Sequence, residues 1–316
     1  MLFLNVEYPN NLEVFFGMFK IGTMSFIPNP FLWFIDDPKE ITGRAPLKFR
    51  ENGFEGVFLK DVGHLVFLFG ILLLIEGLCR LLLQMSFLRV MVNKIKKQLG
   101  IKFAFKIFLT TAFVQIIAVV LQLAYPTFGK AFNNSSWIVA LFLAIFFCVV
   151  LGIITKAYLP IKKSGNDMFK ENVEKYKMFF EGFIFLRQKS IQPFTIYILL
   201  KKILITFCLM IFYEVPSLQF ITQILISTAF AIELYRIRPY SNKTEQVINL
   251  TVELLLIVMY FLSSFFLVNP AQPITTAKKR ALGWVVIGIC GIVMILFNGY
   301  AIMEAVRTLT KIIKER

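Results

Sequence analysis

The sequence predicts an all-α fold, a polytopic integral membrane bundle of about seven transmembrane helices with the N-terminus outside and the C-terminus in the cytoplasm. Of the 316 residues, 58% are hydrophobic and only 17% are charged, which is far more apolar than a soluble domain. The Lys and Arg residues behind the net charge of +15 cluster between apolar runs, as membrane topology requires, and not on one basic face. We therefore expect the lipid bilayer as a partner and no nucleic acid.

Residues 1–61 are predicted to form an outer, interfacial segment that precedes the membrane. The segment is rich in Phe and Pro, and proline divides any helix here into short pieces. Aromatic pieces of this kind lie at a membrane interface or cap a helical bundle. The first ten residues lack the pattern of a cleaved signal, so either the first span acts as its own signal or the chain is the distal part of something longer.

Seven apolar runs are long enough to cross a hydrocarbon core of about 30 Å. They are predicted at 62–87, 107–125, 137–159, 195–213, 218–235, 246–268 and 282–303. The implied domains are 62–159 with the first three spans, 160–194 as a cytoplasmic amphipathic segment, 195–303 with the last four spans, and 304–316 as a basic cytoplasmic tail. The segment at 160–194 lies along the membrane or is a plain solvated linker helix. The positive-inside rule sets the orientation, with one exception on the outer side, Lys278, Lys279 and Arg280.

One pair of ionisable side chains lies within the first span. Glu76 and Arg80 are four residues apart and share a helix face, a spacing that permits a salt bridge. Charges at this depth are costly unless they face protein or water. The pair either fixes helix packing or lines an ion path.

A second group of charges surrounds the short basic turn between the fifth and sixth spans. Glu233 and Glu253 flank this turn, and either carboxylate can pair with Arg236 or Arg238. The group is a structural clamp between the two spans, or a cation site or gating latch at the inner mouth of the bundle.

Other polar or small residues in the spans are predicted to serve packing. Glutamines at helical spacing favour hydrogen bonds between helices, and they are Gln115, Gln122, Gln219 and Gln223. Small residues in the last span allow close helix approach, and they are Gly283, Gly288, Gly291 and Gly299. Lys201 and Lys202 are predicted to extend toward the inner headgroups.

We expect no enzyme activity, no catalytic residue and no cofactor. Phosphate-binding loops, dinucleotide fingerprints and paired catalytic carboxylates on a soluble loop are missing from the sequence. The single histidine, His64, excludes a His-rich metal site, and the four cysteines lie in apolar runs without metal-ligand spacing. Asn133 and Asn134 begin overlapping glycosylation sequons, which belong on an outer loop if the protein is secretory.

The turn motif resembles a signature of TRP-like membrane proteins. The fifth span ends Leu-Tyr-Arg-Ile-Arg-Pro-Tyr at 234–240, followed by Asn242-Lys243 and then by Asn249 and Glu253 in the next span. This pattern is similar to the Arg-Pro-Tyr/Phe signature of TRP-like proteins of fungi and protists. These include polycystin-related proteins and the membrane-spanning C-terminal parts of large cysteine-rich protist surface proteins. The segments Tyr8-Pro9-Asn10-Asn11 and Pro46-Leu47-Lys48-Phe49 also look like theirs.

The resemblance implies a multi-span bundle attached to an extracellular domain, with cation-channel or mechanosensory roles, in the plasma or ciliary membrane. Between the last two spans, residues 269–281 are too few for a pore helix and a selectivity filter. The expected task is thus cation permeation by another route or anchoring of a large extracellular assembly. The alternative is a non-enzymatic structural subunit of a large membrane complex, including one of the mitochondrial inner membrane. Protein partners or a homo-oligomer are expected in each case.

Overall fold

The computed structural model of the chain describes residues 3–18, 27–35, 43–83, 101–163, 194–240, 242–267 and 275–314. The described part is all-helical and contains no strand, which confirms the all-α part of the predicted fold class. Its α-helices are α1 (Asn10–Met18), α2 (Leu47–Glu51), α3 (Phe58–Leu82), α4 (Ile101–Ala124), α5 (Ala131–Lys163), α6 (Phe194–Ile211), α7 (Pro216–Ile237), α8 (Lys243–Ser264) and α9 (Thr276–Lys314), and a 3₁₀ helix covers Pro30–Phe34.

Six helical segments of the described chain are long and apolar enough to cross a membrane. They are Phe58–Leu82, Ile107–Ala124, Ala131–Lys156, Pro216–Ile237, Lys243–Ser264 and Thr276–Tyr300. These segments coincide with six of the seven predicted spans. The remaining predicted span, the fourth, falls on α6, which is not among the six, so a seventh crossing and the orientation of the termini stay predictions.

Helix ends differ from the predicted span ends where a helix continues into polar sequence. Helix α5 begins at Ala131, before the predicted start at 137, and α9 continues to Lys314, through most of the predicted tail. Span ends were predicted where the apolar run stops. Lys, Arg, Glu and Ala are good helix formers that extend α9 beyond it, and the Asn and Ser residues before 137 suit the first turn of α5. The stretches 84–100, 164–193 and 268–274 lie outside the described residues, and with them most of the predicted amphipathic segment at 160–194 and part of the connection at 269–281.

The chain divides into two compact units, one of residues 3–17 with 156–316 and the other of residues 18–155. The predicted outer segment is thus shared between them. In the first unit, Asn5 donates its backbone N–H to Gln219 Oε1 and its side-chain Nδ2 to the Tyr213 carbonyl, each at 2.9 Å. Asn11 Nδ2 donates to the Arg280 carbonyl at 3.2 Å. These bonds attach the first residues to α7, α9 and the α6–α7 turn.

In the second unit, side chains of α4 and α5 cap the start of α3. The N–H of Phe58 donates to Gln122 Oε1 at 2.8 Å, and the N–H of Leu59 donates to Ser136 Oγ at 3.0 Å. Ser136 in turn donates to the same Gln122 oxygen at 2.8 Å. Because the first N–H groups of a helix have no partner within it, this buried network fixes the three helices together at one end.

Helix α3 is kinked one turn after its start. Val62 has non-helical dihedral angles, φ −134° and ψ 16°, and the Asn29 amide approaches the backbone there. Asn29 Nδ2 donates to the Leu59 carbonyl at 2.8 Å and to the Lys60 carbonyl at 3.3 Å. A side chain inserted into the helical ladder in this way is a recognised cause of a kink. A Cβ on Gly63 would lie 2.6 Å from Asn29 Oδ1, so the close approach requires glycine.

Candidate functional site

The basic turn between α7 and α8 is built from backbone caps. Arg238 ends α7 in the left-handed conformation, at φ 49°, and its N–H donates to the Leu234 carbonyl at 3.1 Å. Gln246 reaches back from α8, donating Nε2 to the same carbonyl at 2.7 Å and accepting the N–H of Tyr240 at 3.5 Å. Asn242 caps α8 by accepting the N–H of Thr244 at 3.0 Å. The turn is therefore rigidly capped on both sides.

The two arginines of the turn lie at its surface. Arg236 Nη2 is 2.9 Å from Glu233 Oε2, and the Arg236 side chain is 65% exposed. Arg238 lies over the Tyr235 ring with 5.5 Å between Cζ and the ring centroid. Exposed pairs of this kind contribute at most about 1 kcal/mol. The predicted Glu233–Arg236 pair therefore forms, but it contributes little energy.

Glu253 pairs with Lys201 of α6 and not with either arginine of the turn. Both side chains of this pair are nearly buried, at 13% exposure for Lys201 and 12% for Glu253. Lys201 lies near the middle of α6 and its amino group contacts Glu253; its predicted reach to the inner headgroups stays a prediction. The pair joins α6 to α8, two helices that are not consecutive along the chain.

Aromatic rings from three parts of the chain surround this pair. Lys201 Nζ lies 4.5 Å from the centroid of the Phe230 ring of α7. Phe194 at the start of α6 contacts both Phe230, at 5.2 Å between centroids, and Tyr240 of the turn, at 5.8 Å. We call Phe194, Lys201, Phe230, Tyr240 and Glu253 the lysine–glutamate cluster. It brings α6, α7, α8 and the turn to one place.

The tyrosine of the cluster is a neutral hydrogen-bonding group. Burial raises the pKa of the Tyr240 phenol well above its ordinary value, and the nearby carboxylates of Glu245 and Glu253 raise it further. A buried phenol next to negative charge resists ionisation because the phenolate would be both desolvated and repelled. Tyr240 therefore adds no charge to the cluster at physiological pH.

Two predicted glutamines of α7 bind the neighbouring helix. Gln219 Nε2 donates to the Leu209 carbonyl at 2.8 Å, and Gln223 Nε2 donates to the Ile205 carbonyl at 3.3 Å. Both acceptors belong to α6, so the predicted hydrogen bonds between helices are confirmed for this pair. Gln223 Oε1 and, one turn further along α7, Ser227 Oγ are buried without a hydrogen-bond partner among the described residues. A buried polar stripe thus runs along α7 beside α6.

The pair in the first span lies in the other unit. Arg80 Nε is 3.0 Å from Glu76 Oε1, with Glu76 nearly buried and Arg80 62% exposed. The salt bridge that the spacing permits therefore forms within α3. Because Arg80 neutralises Glu76 within α3, this carboxylate needs no basic partner from a second helix.

The remaining predicted positions have different surroundings. Among the last-span glycines, Gly283 packs tightly, since a Cβ there would lie 2.8 Å from Asn11 Oδ1, whereas Gly288 has open space around it. The sequons lie in the first turn of α5 and not in a loop. Asn133 is buried there and Asn134 is exposed. Within the described ranges, no three His, Cys, Asp or Glu side chains converge as metal ligands.

Sequence reasoning missed the two residues that organise the sites, Lys201 as the partner of Glu253 and Ser136 as the cap of α3. The signal for Lys201 was a lysine in the middle of an apolar run, because such a charge needs a partner in a membrane. Ser136 carried no signal of its own. No family model, no curated protein and no solved structure matches the chain.

Proposed function

We propose that the chain is a seven-span, TRP-like membrane protein that anchors an extracellular assembly, and that its intramembrane charges hold the bundle together. The observation that carries this proposal is the pairing of Glu253 with Lys201. Together with the Glu76 and Glu233 pairs, it leaves each predicted intramembrane carboxylate neutralised by a basic side chain. A cation site needs a carboxylate that can exchange its partner for an ion, so paired carboxylates favour a structural task.

Helix α6 supplies the seventh crossing in this proposal. Its 18 residues extend about 27 Å at about 1.5 Å per residue, close to the thickness of about 30 Å of a hydrocarbon core. An odd number of crossings places the two ends on opposite sides. The positive-inside rule then puts the basic turn and the end of α9 in the cytoplasm.

The TRP-like assignment rests on the turn motif, and the packing of its residues supports it. Arg238 ends α7, Pro239 is buried, Tyr240 packs on Phe194, and Asn242 caps α8. Asn242 Nδ2 also lies 3.3 Å from the Tyr300 hydroxyl of α9. Two motif positions, Tyr240 and Asn242, thus contact other helices, and Arg238 ends α7, which supports a structural task for the motif.

The proposal is tested by reconstituting the purified chain in liposomes and measuring the flux of monovalent and divalent cations. We expect no flux from the wild type above that of empty liposomes. After extraction from the native membrane in mild detergent, the protein mass of the particles, with the bound detergent subtracted, should exceed that of the chain itself, 36.5 kDa. Cation flux from the wild type above that of empty liposomes would contradict a purely anchoring function.

Cation permeation is the second candidate, favoured by the polar stripe on α7. The oxygens of Gln223, Ser227 and, from α8, Ser263 are buried without a partner among the described residues, and such oxygens are ligands for water or a cation. Ser227→Ala would reduce a flux along this stripe. The same substitution leaves an anchor unaffected.

N-glycosylation at Asn134 would identify the membrane in which the protein resides. We place the protein in the plasma or ciliary membrane, with the mitochondrial inner membrane and a structural subunit as the alternative. Asn134 is exposed in the first turn of α5, whereas Asn133 is buried. A glycan lost in Asn134→Gln would assign the secretory pathway and refute the mitochondrial alternative.

A further inference from the structure

A groove between α3, α4 and α5 runs along the second unit, and we propose that it binds a sterol. The groove has a volume of about 650 Å³, within the range of about 300–1,000 Å³ of small-molecule pockets. On α3 it extends from Phe58 to Leu73, a rise of about 22 Å at about 1.5 Å per residue. Leu73 at one end is 68% exposed, as is Phe142 on the rim, so the groove is open along one side. All three helices are candidate membrane spans, and a membrane lipid can therefore enter from that side.

The wall of the groove is apolar and partly aromatic. Phenylalanines from all three helices line it, among them Phe69, Phe108, Phe142 and Phe146. Gly70 forms a smooth part of the wall, since no heavy atom lies within 4 Å of a Cβ placed there. Such a surface suits a flat, rigid apolar ring system.

One polar atom faces this apolar space. Gln115 lines the groove, is only 2% exposed, and its Oε1 has no hydrogen-bond partner among the described residues. Its amide orientation is determined by Thr111, whose hydroxyl donates to the Ile107 carbonyl at 2.9 Å and so accepts Gln115 Nε2 at 2.7 Å. The free group is therefore an acceptor, and a ligand must supply a donor.

A sterol matches these features because it is a rigid apolar body with one hydroxyl. The hydroxyl would donate to Gln115 Oε1, and the rings would lie against Gly70 and the phenylalanines. A phospholipid acyl chain is the competing occupant, but it carries no donor and would leave the buried acceptor unpaired. It would also lose more rotational freedom than a fused ring system on binding. The proposal is independent of whether the protein anchors or conducts.

The experiment uses the full chain in phosphatidylcholine nanodiscs that contain a photoreactive sterol. The wild type should be crosslinked at the groove, and an excess of unlabelled sterol should compete about five-fold or more better than its ketone analogue, which lacks the donor. Gly70→Phe fills the groove and should abolish crosslinking. Gly77→Phe is the matched control, because Gly77 lies two turns away on the same helix face, also in open space and outside the groove.

Gln115→Leu tests the hydrogen bond without depending on Gly70→Phe folding. Crosslinking should persist in this variant, while sterol and ketone compete equally. Equal competition in the wild type, or undiminished crosslinking of Gly70→Phe, would overturn the proposal. So would labelling of the groove by a photoreactive acyl chain that excess sterol does not reduce, since a phospholipid would then be the occupant.

Discussion

The pair of Lys201 and Glu253 should show a large energetic coupling. Glu253→Gln or Lys201→Met leaves one charge nearly buried, at 13% or 12% exposure, and breaking a buried pair in this way costs about 3–5 kcal/mol. Replacing both residues, in Lys201→Met with Glu253→Leu, removes the charges together. Such apolar replacements are often neutral or stabilising, so the double variant should be close to the wild type.

Thermal unfolding in detergent, followed by size-exclusion fluorescence, measures these differences. At about 2–4 °C for each kcal/mol in a chain of this size, each single variant should unfold roughly 6–20 °C earlier than the wild type. Glu233→Gln is the control, because its partner Arg236 is 65% exposed and such pairs contribute at most about 1 kcal/mol. Two results would show that the Lys201–Glu253 pair does not hold the unit together. The unfolding temperatures of the single variants would fall no more than that of the control, or that of the double variant would fall by the sum of the two single decreases.

Three further predictions test local geometry by the same thermal measurement. Arg238→Gly should be more stable than Arg238→Ala by about 1 kcal/mol, because both remove the side chain and only glycine adopts φ 49° without strain; equal stability would contradict a left-handed cap. Gln246→Leu should cost about 1–2 kcal/mol through the loss of two hydrogen bonds to the turn, and an unchanged melting temperature would show that the turn does not need them. Gly283→Ala should displace Asn11 and destabilise the protein, whereas Gly288→Ala, in open space, should be neutral or slightly stabilising; the reverse order would refute the predicted packing.

Local features of the fold could be predicted from sequence because they depend on spacing along the chain. Apolar runs located the helices, since crossing a membrane requires a continuous stretch of apolar residues. The Glu76–Arg80 and Glu233–Arg236 pairs could also be predicted, because residues three or four apart share a helix face. Helices α5 and α9 extend beyond the predicted spans because polar residues can continue a helix past its apolar part.

The cluster could not be predicted in the same way because its members come from separate helices. Glu253 and Lys201 lie 52 positions apart, and their contact depends on how α6 and α8 are rotated and packed. Hydropathy does not report that rotation. The oxygen of Gln115 without a hydrogen-bond partner could not be predicted for the same reason. A glutamine in a span predicts a hydrogen bond between helices, but only the packing of the helices determines that its oxygen faces a groove.

The same pair decides whether α6 can cross the membrane at all. Lys201 and Lys202 stand in the middle of α6, where each lysine costs about 2.5–3.5 kcal/mol, while each Leu, Ile or Phe gains about 0.3–0.6 kcal/mol. Eleven such residues in α6 contribute about 3–7 kcal/mol against a cost of about 5–7 kcal/mol for the two lysines. The balance is close to zero, so neutralisation of Lys201 by Glu253 should determine insertion.

The exposed turn after α6 reports that insertion. Glu214→Cys in intact cells should react with a membrane-impermeant maleimide, because the proposed seventh crossing places this turn outside. Adding Glu253→Gln should reduce the labelling, since Lys201 then lacks its partner and its charge favours leaving α6 on the cytoplasmic side. Lys201→Met with Glu253→Leu should restore it, because only Lys202 of the two lysines then remains in α6, and the insertion cost falls by about 2.5–3.5 kcal/mol. Labelling that is the same in all three backgrounds would mean that α6 crosses without the pair, and labelling in none would mean that it does not cross.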